Sequence, residues 1–336
     1  MPFILLTNGG GKHESERVAD LSSTLGVKLD TSMFVQSHTP FAELVEGTKT
    51  QPGFKDKTIL VVGGIGEKCR EVAHAYGFEN VVLPADIWAA HPEIWPFGSI
   101  FKDYYRSFAR PLPKPINASS PNDSLKIDAI FVYHDPRDWA LDTQIILDLL
   151  LSRDGIMGTY SAKNGDRSLP NRGYLQDNQP PIYFSNPDLL WAAAYHLNRL
   201  GQGGFREALD GVWAAITGGP REGVELPKNL IGKPFKATYS FAENKLLAHR
   251  EGIFGGSAPS LKRVYMVGDN PDSDIRGANT FDSQRGIEWI SLLTRTGVYQ
   301  DRPGQRPAWE PREIVDDVTA AVQYALADSE WHERLR

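Results

Sequence analysis

The chain has 336 residues, 41% of them hydrophobic, enough for a globular protein of two domains. A formal net charge of -6 argues against a general nucleic-acid binder, and no run of roughly 18 apolar residues offers a membrane span. The single cysteine, Cys69, excludes an internal disulfide framework and any multi-cysteine metal site, and it fits a reducing compartment.

Residues 3–6 are a continuous apolar run, as expected of a strand buried on both faces of a parallel sheet. A glycine run follows, and a helix is predicted over 14–25, closed by Gly26. A short helix over 41–45, a buried strand over 58–62, a Gly-rich turn, a helix through 71–76 and a short strand over 81–83 come next. Residues 84–124 are rich in Trp, Phe and Pro and read as an irregular insertion with a mobile tip. Then come a strand over 127–133, a helix over 141–151, a loop over 165–180, a strand over 182–184 and a helix over 205–216. The last third predicts a strand ending at Ile231, a helix over 238–249, a strand over 264–267 and a helix from near Asp272. A strand over 289–293 and a helix over 314–326 close the chain. Strands alternating with helices indicate a parallel α/β sheet, and the irregular middle between two regular pieces suggests one domain inserted into another.

Three segments carry chemistry, each where a strand gives way to a loop, the edge at which open α/β sheets bind ligands. Thr7-Asn8-Gly9-Gly10 offers a hydroxyl and free backbone N–H groups suited to a phosphate, or else is a plain Gly-rich turn. It is not a Walker loop, because Lys12 is followed by His13. Gly232-Lys233-Pro234 fixes a lysine that can neutralise phosphate charge, though alone it reads as a surface lysine in a turn. An apolar strand delivers Asp269, followed by Asp272 and Asp274. Such a cluster is better explained by a hard cation such as Mg²⁺ than by a helix cap.

The order and spacing of these segments resemble motifs two, three and four of the haloacid-dehalogenase superfamily, and most of all its subfamily IIA. Gln36-Ser37-His38-Thr39-Pro40-Phe41 and Asn186-Pro187-Asp188 are similar to the eukaryotic branch named for the cat-eye-syndrome critical region. The resemblance implies a Mg²⁺-dependent phosphatase of a small phosphorylated metabolite. Thr7 and Asn8 would bind the phosphoryl group with Gly9 and Gly10 beside them, and Lys233 would stabilise its charge. Asp269 and Asp274 would hold the metal, and Asn186 and Asp188 would face the substrate. It implies a Rossmannoid core split over 1–55 and 226–336, with a C2-type α/β cap over 56–225. It further implies a possible homodimer, mitochondrial location and a link to glycerophospholipid synthesis.

The family's motif one, Asp-x-Asp-Gly, supplies the nucleophile ahead of the Thr-Asn segment. Six residues precede Thr7 here and none is acidic, while Leu209-Asp210-Gly211 lacks both the first aspartate and a leading strand. A truncated chain of low activity and reduced stability is therefore expected, since loss of a covalent nucleophile costs many decades of rate. Two other readings stand. A pocket without a nucleophile could serve binding of a phosphorylated ligand or partner. Val62-Gly63-Gly64-Ile65-Gly66 resembles a dinucleotide-binding turn, but Cys69 stands where the third glycine belongs, which favours a plain strand-turn-helix. The dispersed histidines His38, His134 and His196, the tryptophans and Cys69 are expected to be structural.

Overall fold

A computed structural model describes residues 2–47, 52–255, 260–302 and 304–329. The chain opens with β1 (Leu5–Leu6), which pairs in parallel with β2 (Phe34–Val35). β1 is shorter than its apolar run predicts, because Phe3 lies outside the packed interior at 41% exposure. Between the two strands runs α1 (Glu14–Leu25), capped by the His13 ring at Ser15 N–H and ended by Gly26 in the left-handed region. A 3₁₀ turn over Thr39–Ala42 leads into α2 (Glu43–Glu46), Pro40 standing at the start of the turn.

A five-stranded parallel sheet follows. Its members are β3 (Thr58–Val62), β4 (Asn80–Val82), β5 (Ala129–Val132), β6 (Ile182–Phe184) and β9 (Asn229–Leu230), in the order β4-β3-β5-β6-β9. Alternate residues feed two apolar layers, as strand periodicity demands. Leu60, Val62, Ile130 and Val132 pack with α6 (Trp139–Leu150) and α7 (Gln202–Thr217) through Ile145, Phe205 and Trp213. Ile59, Val61 and Phe131 face the other way, toward Phe41, Phe78 and the Val72 side of α3 (Lys68–Tyr76). The sheet's last strand lies past residue 225, at Asn229–Leu230.

The stretch read as irregular contains α4 (Pro84–Ala90) and α5 (Lys102–Arg106), joined by 3₁₀ turns. That expectation is corrected, and the reason is local. Pro84 opens α4, and Asp86 closes back on Leu83 N–H at 2.8 Å while holding Arg70 through two 2.9 Å bonds. Trp88 and Tyr105 then bury their rings in the core. An unpredicted antiparallel hairpin, β7 (Leu190–Trp191) with β8 (Arg199–Leu200), is solvent-facing.

The last third contains α8 (Lys236–Phe254) and a three-stranded parallel sheet of β10 (Arg263–Gly268), β11 (Glu288–Thr294) and β12 (Glu313–Val315). A π-type turn over Pro271–Ile275 leads into α9 (Arg276–Thr280). The predicted closing helix begins later, because Ile314 belongs to β12. α10 (Val318–Asp328) starts after Asp317, whose carboxylate accepts from Ala320 N–H. Among the described residues the β1–β2 pair and the β10–β12 sheet share no ladder; Leu6, Tyr239, Met266 and Trp289 join them through an apolar cluster. No helix of the described residues is long and apolar enough to cross a membrane.

Candidate active site

The loop after β1, the turn after β9 and the turn after β10 meet at one place. Asn8, buried, donates from Nδ2 to the Lys233 carbonyl at 2.9 Å and accepts from Lys233 N–H at 2.7 Å. The Lys233 ammonium, 7% exposed, donates to Asp274 Oδ1 at 2.6 Å and to the Leu6 carbonyl at 3.2 Å. Burial pulls the lysine pKa down, but the charges of Asp274, Asp188 and Asp269 outweigh that and hold it above its usual value. The peptide bond from Lys233 to Pro234 is cis.

The second carboxylate oxygen of Asp274 accepts from Asn270 N–H at 3.0 Å. This residue comes so close to the end of β10 that a Cβ on Gly268 would stand 2.2 Å from its carboxylate. Asp269, half-buried, accepts from Val298 N–H at 2.6 Å. Asp188 belongs to the turn after β6, where its N–H is held by Asn186 Oδ1 at 2.8 Å and Asn186 N–H in turn by Gln202 at 2.9 Å. Burial raises the Asp188 carboxyl to about 6, opposed by the Lys233 charge and by the Asn8 and Ser273 side chains.

The glycine loop departs from its sequence reading. Its N–H groups are not all free: Gly9 donates to Thr7 Oγ1 at 3.0 Å and Gly11 to His38 Nε2 at 3.1 Å. His38, fully buried, therefore accepts at Nε2 and keeps its proton on Nδ1, which faces the Tyr76 hydroxyl at 2.8 Å. Tyr76 hydrogen-bonds Glu14, which also takes the Thr39 hydroxyl at 2.6 Å. Burial lowers the His38 pKa to about 4, so the ring is neutral at ordinary pH. On the far side, Gly11 has a φ of 92°, and a Cβ there would lie 2.4 Å from the His134 ring. Sequence reading assigned His38 a structural place but not this hold on the loop, since its two partners, Gly11 and Tyr76, lie 27 and 38 positions away.

The structure thus gathers Asn8, Lys233 and Asp274 in direct contact, with Asp188 and Asp269 close enough to act on the lysine charge. Thr7 lies beside Leu6, whose carbonyl receives the ammonium. Asn186 stands back, bonded to the Asp188 backbone. Asn8 grips the Lys233 backbone with its amide oxygen and one of its two Nδ2 hydrogens, and its side chain also bonds Asp188. No group of three His, Cys, Asp or Glu among the described residues could hold a metal. Two carboxylates nevertheless suit Mg²⁺, which takes one or two from a protein and completes its shell with water and phosphate. By that measure the half-buried Asp269, with one oxygen taken by Val298 N–H, fits the ion, whereas both oxygens of the buried Asp274 are already engaged by Lys233 and Asn270 N–H.

Family models match both flanks of the chain: a haloacid dehalogenase-like hydrolase over residues 1–79 and a HAD-hydrolase-like domain over residues 230–321. The chain is 36% identical over 343 residues to a mitochondrial hydrolase of Saccharomyces cerevisiae, covering 97% of this chain and 86% of that one. It is 38% identical over 328 residues to a cardiolipin synthase (CMP-forming)/mitochondrial hydrolase fusion protein of Schizosaccharomyces pombe, with 97% of this chain matched. It spans 48% of that fusion's length, so about half. In fold it resembles the p-nitrophenyl phosphatase of Archaeoglobus fulgidus, with a TM-score of 0.54 at 15% identity over 96% of this chain and 85% of that one. Matched at both flanks by these models and along nearly its full length by the yeast hydrolase, the chain belongs to the haloacid dehalogenase-like hydrolases.

Proposed function

We propose that the chain works on phosphate monoesters of small metabolites, with the five-stranded unit as the cap over the site. The observation that carries this reading is the buried Lys233 ammonium, fixed 2.6 Å from Asp274 at the mouth of a hydroxyl-bearing loop. A dianionic phosphoryl group finds there a permanent cation in a low-dielectric setting, where its attraction is worth far more than in water. Thr7 would donate its hydroxyl proton to a phosphoryl oxygen. Asn8 would serve the phosphoryl group by holding the Lys233 backbone so that the ammonium points at it. Gly9 and Gly10 allow the loop to approach. Asp188, with a carboxyl near neutrality, would meet the ester side with Asn186 behind it. Asp269 would hold Mg²⁺, with Asp274 supporting the site through Lys233 and Asn270, and the ion when bound would neutralise phosphoryl charge.

The names of the yeast relatives favour a mitochondrial setting, and the fusion favours work beside phospholipid synthesis. The test is binding of inorganic phosphate with and without Mg²⁺, alongside p-nitrophenyl phosphate hydrolysis. Phosphate binding that Lys233→Met abolishes supports the reading; equal binding by both chains, or none by either, sinks it. Tight phosphate binding with no hydrolysis at all would favour a binding protein over an enzyme.

A further inference from the structure

The chain leaves β3 for β4 on one side and returns through β5 on the other, so the winding reverses between β3 and β5. In open α/β sheets ligands collect in the crevice at the carboxyl ends of the two strands where that reversal falls. A cavity of about 350 Å³ stands at this place, within the range of small-molecule sites. Gly63 and Gly64 line it after β3, Arg137 after β5, and the rings of Tyr104 and Phe108 close it from the segment around α5. Thr7, Asn8, Asp188, Lys233 and Asp274 do not line it. His134 lies between the two places, its ring packed on Gly11 and its carbonyl against Gly63.

One polar group in this cavity is unaccounted for. Asp142, on the first turn of α6, is 6% exposed and lines the cavity, yet its carboxyl has no hydrogen-bond partner among the described residues. Its neighbours are satisfied. Asp138 accepts from Ala140 and Leu141 N–H at 3.2 and 3.1 Å and from the Tyr105 hydroxyl. Gly64 N–H donates to the Asp135 carbonyl and Gly66 N–H to the Tyr104 hydroxyl. A buried carboxyl with nothing to bond is costly, and burial beside Asp138 pushes it well above the usual carboxylate range, toward a neutral acid that can donate and accept at once. The cavity walls add flat aromatic surface, with Tyr104 and Phe108 edge to face at 5.0 Å. At the mouth the exposed Arg137 guanidinium is tied only to its own segment, at the Asp135 carbonyl, and is free to meet an anion.

We propose that this cavity is a second ligand site, separate from the phosphoryl site, that takes a nucleoside monophosphate. The heteroaromatic base would lie against Tyr104 and Phe108 with its N–H-bearing edge on Asp142, and the phosphate would reach Arg137. The Gly63-Gly64-Ile65-Gly66 turn thus gains a role without a dinucleotide motif: it lines the site, with Gly63 packed on the His134 carbonyl and Gly64 on Cys69.

The experiment is calorimetric titration of the full chain with GMP, AMP, guanosine and ribose 5-phosphate. The better of the two nucleotides is expected to bind roughly tenfold or more tighter than ribose 5-phosphate. Asp142→Asn should weaken that nucleotide by roughly tenfold, and Arg137→Gln should weaken it while leaving guanosine unchanged. Lys233→Met should leave nucleotide affinity as it was, although it abolishes phosphate binding at the other site. Tyr104→Ala, at a ring that is 40% exposed, provides a second variant that keeps the fold if Asp142→Asn does not. The proposal falls if neither nucleotide binds. It also falls if ribose 5-phosphate binds equally well, or if Lys233→Met removes nucleotide and phosphate together.

Discussion

Asn8 and Lys233 stand 225 positions apart and bond to each other twice, side-chain amide to backbone N–H and carbonyl. A neutral side chain thereby sets the place of a charged one. Asn8→Ala removes both bonds and leaves a buried N–H and carbonyl unpaired, at about 1–3 kcal/mol for each orphaned group. Urea unfolding should register that loss, and phosphate affinity should fall with the displaced ammonium.

Lys233→Met should be more damaging, because it leaves Asp274 charged, buried and without its cation. Removing one partner of such a pair costs about 3–5 kcal/mol. Adding Asp274→Asn should restore part of the stability and none of the phosphate binding. A double variant less stable than Lys233→Met alone would contradict the account of the pair.

His38 makes stability depend on pH. Its folded pKa, lowered to about 4, lies below the ordinary 6.5, so the unfolded chain takes up its proton first as pH falls. Its contribution is intact above about 6.5 and declines steadily as pH drops toward 4, by ~3 kcal/mol in all. Denaturant midpoints from pH 7 to pH 4 measure this. In His38→Gln the decline attributable to this ring should vanish, whereas an unchanged slope would assign it to other groups.

Arg70 and Asp86 form a second buried pair, inside the five-stranded unit, with Asp86 also accepting from Leu83 and Arg110 N–H. Arg70→Met should cost about 3–5 kcal/mol and loosen α4, since it strands the carboxylate. Phosphate affinity should hold, because no residue of the pair touches the lysine site. Hydrogen exchange localised to α4 is the readout.

Much of this was legible in the residues. Continuous apolar runs marked β3 and β5, whose side chains are buried on both faces, and Lys233, Asp269 and Thr7 stood out as polar groups ending strands. What escaped has definite causes. Residues 84–106 looked irregular because their helices are short and anchored by distant partners such as Arg70. β2 and β12 are two and three residues long, too short for a periodic signal. Within the site, spacing located Asn8 and Asp274 but not their bonding, which depends on residues some forty and two hundred positions away.

Only Ile231 and Gly232 separate β9, the outer strand of the larger sheet, from Lys233, while Asp274 rides on the turn after β10 in the smaller one. The ion pair is therefore a tie between the segment that follows one sheet and the turn that follows a strand of the other. A ligand that competes for that ammonium thus also loosens the tie between the two sheets' segments.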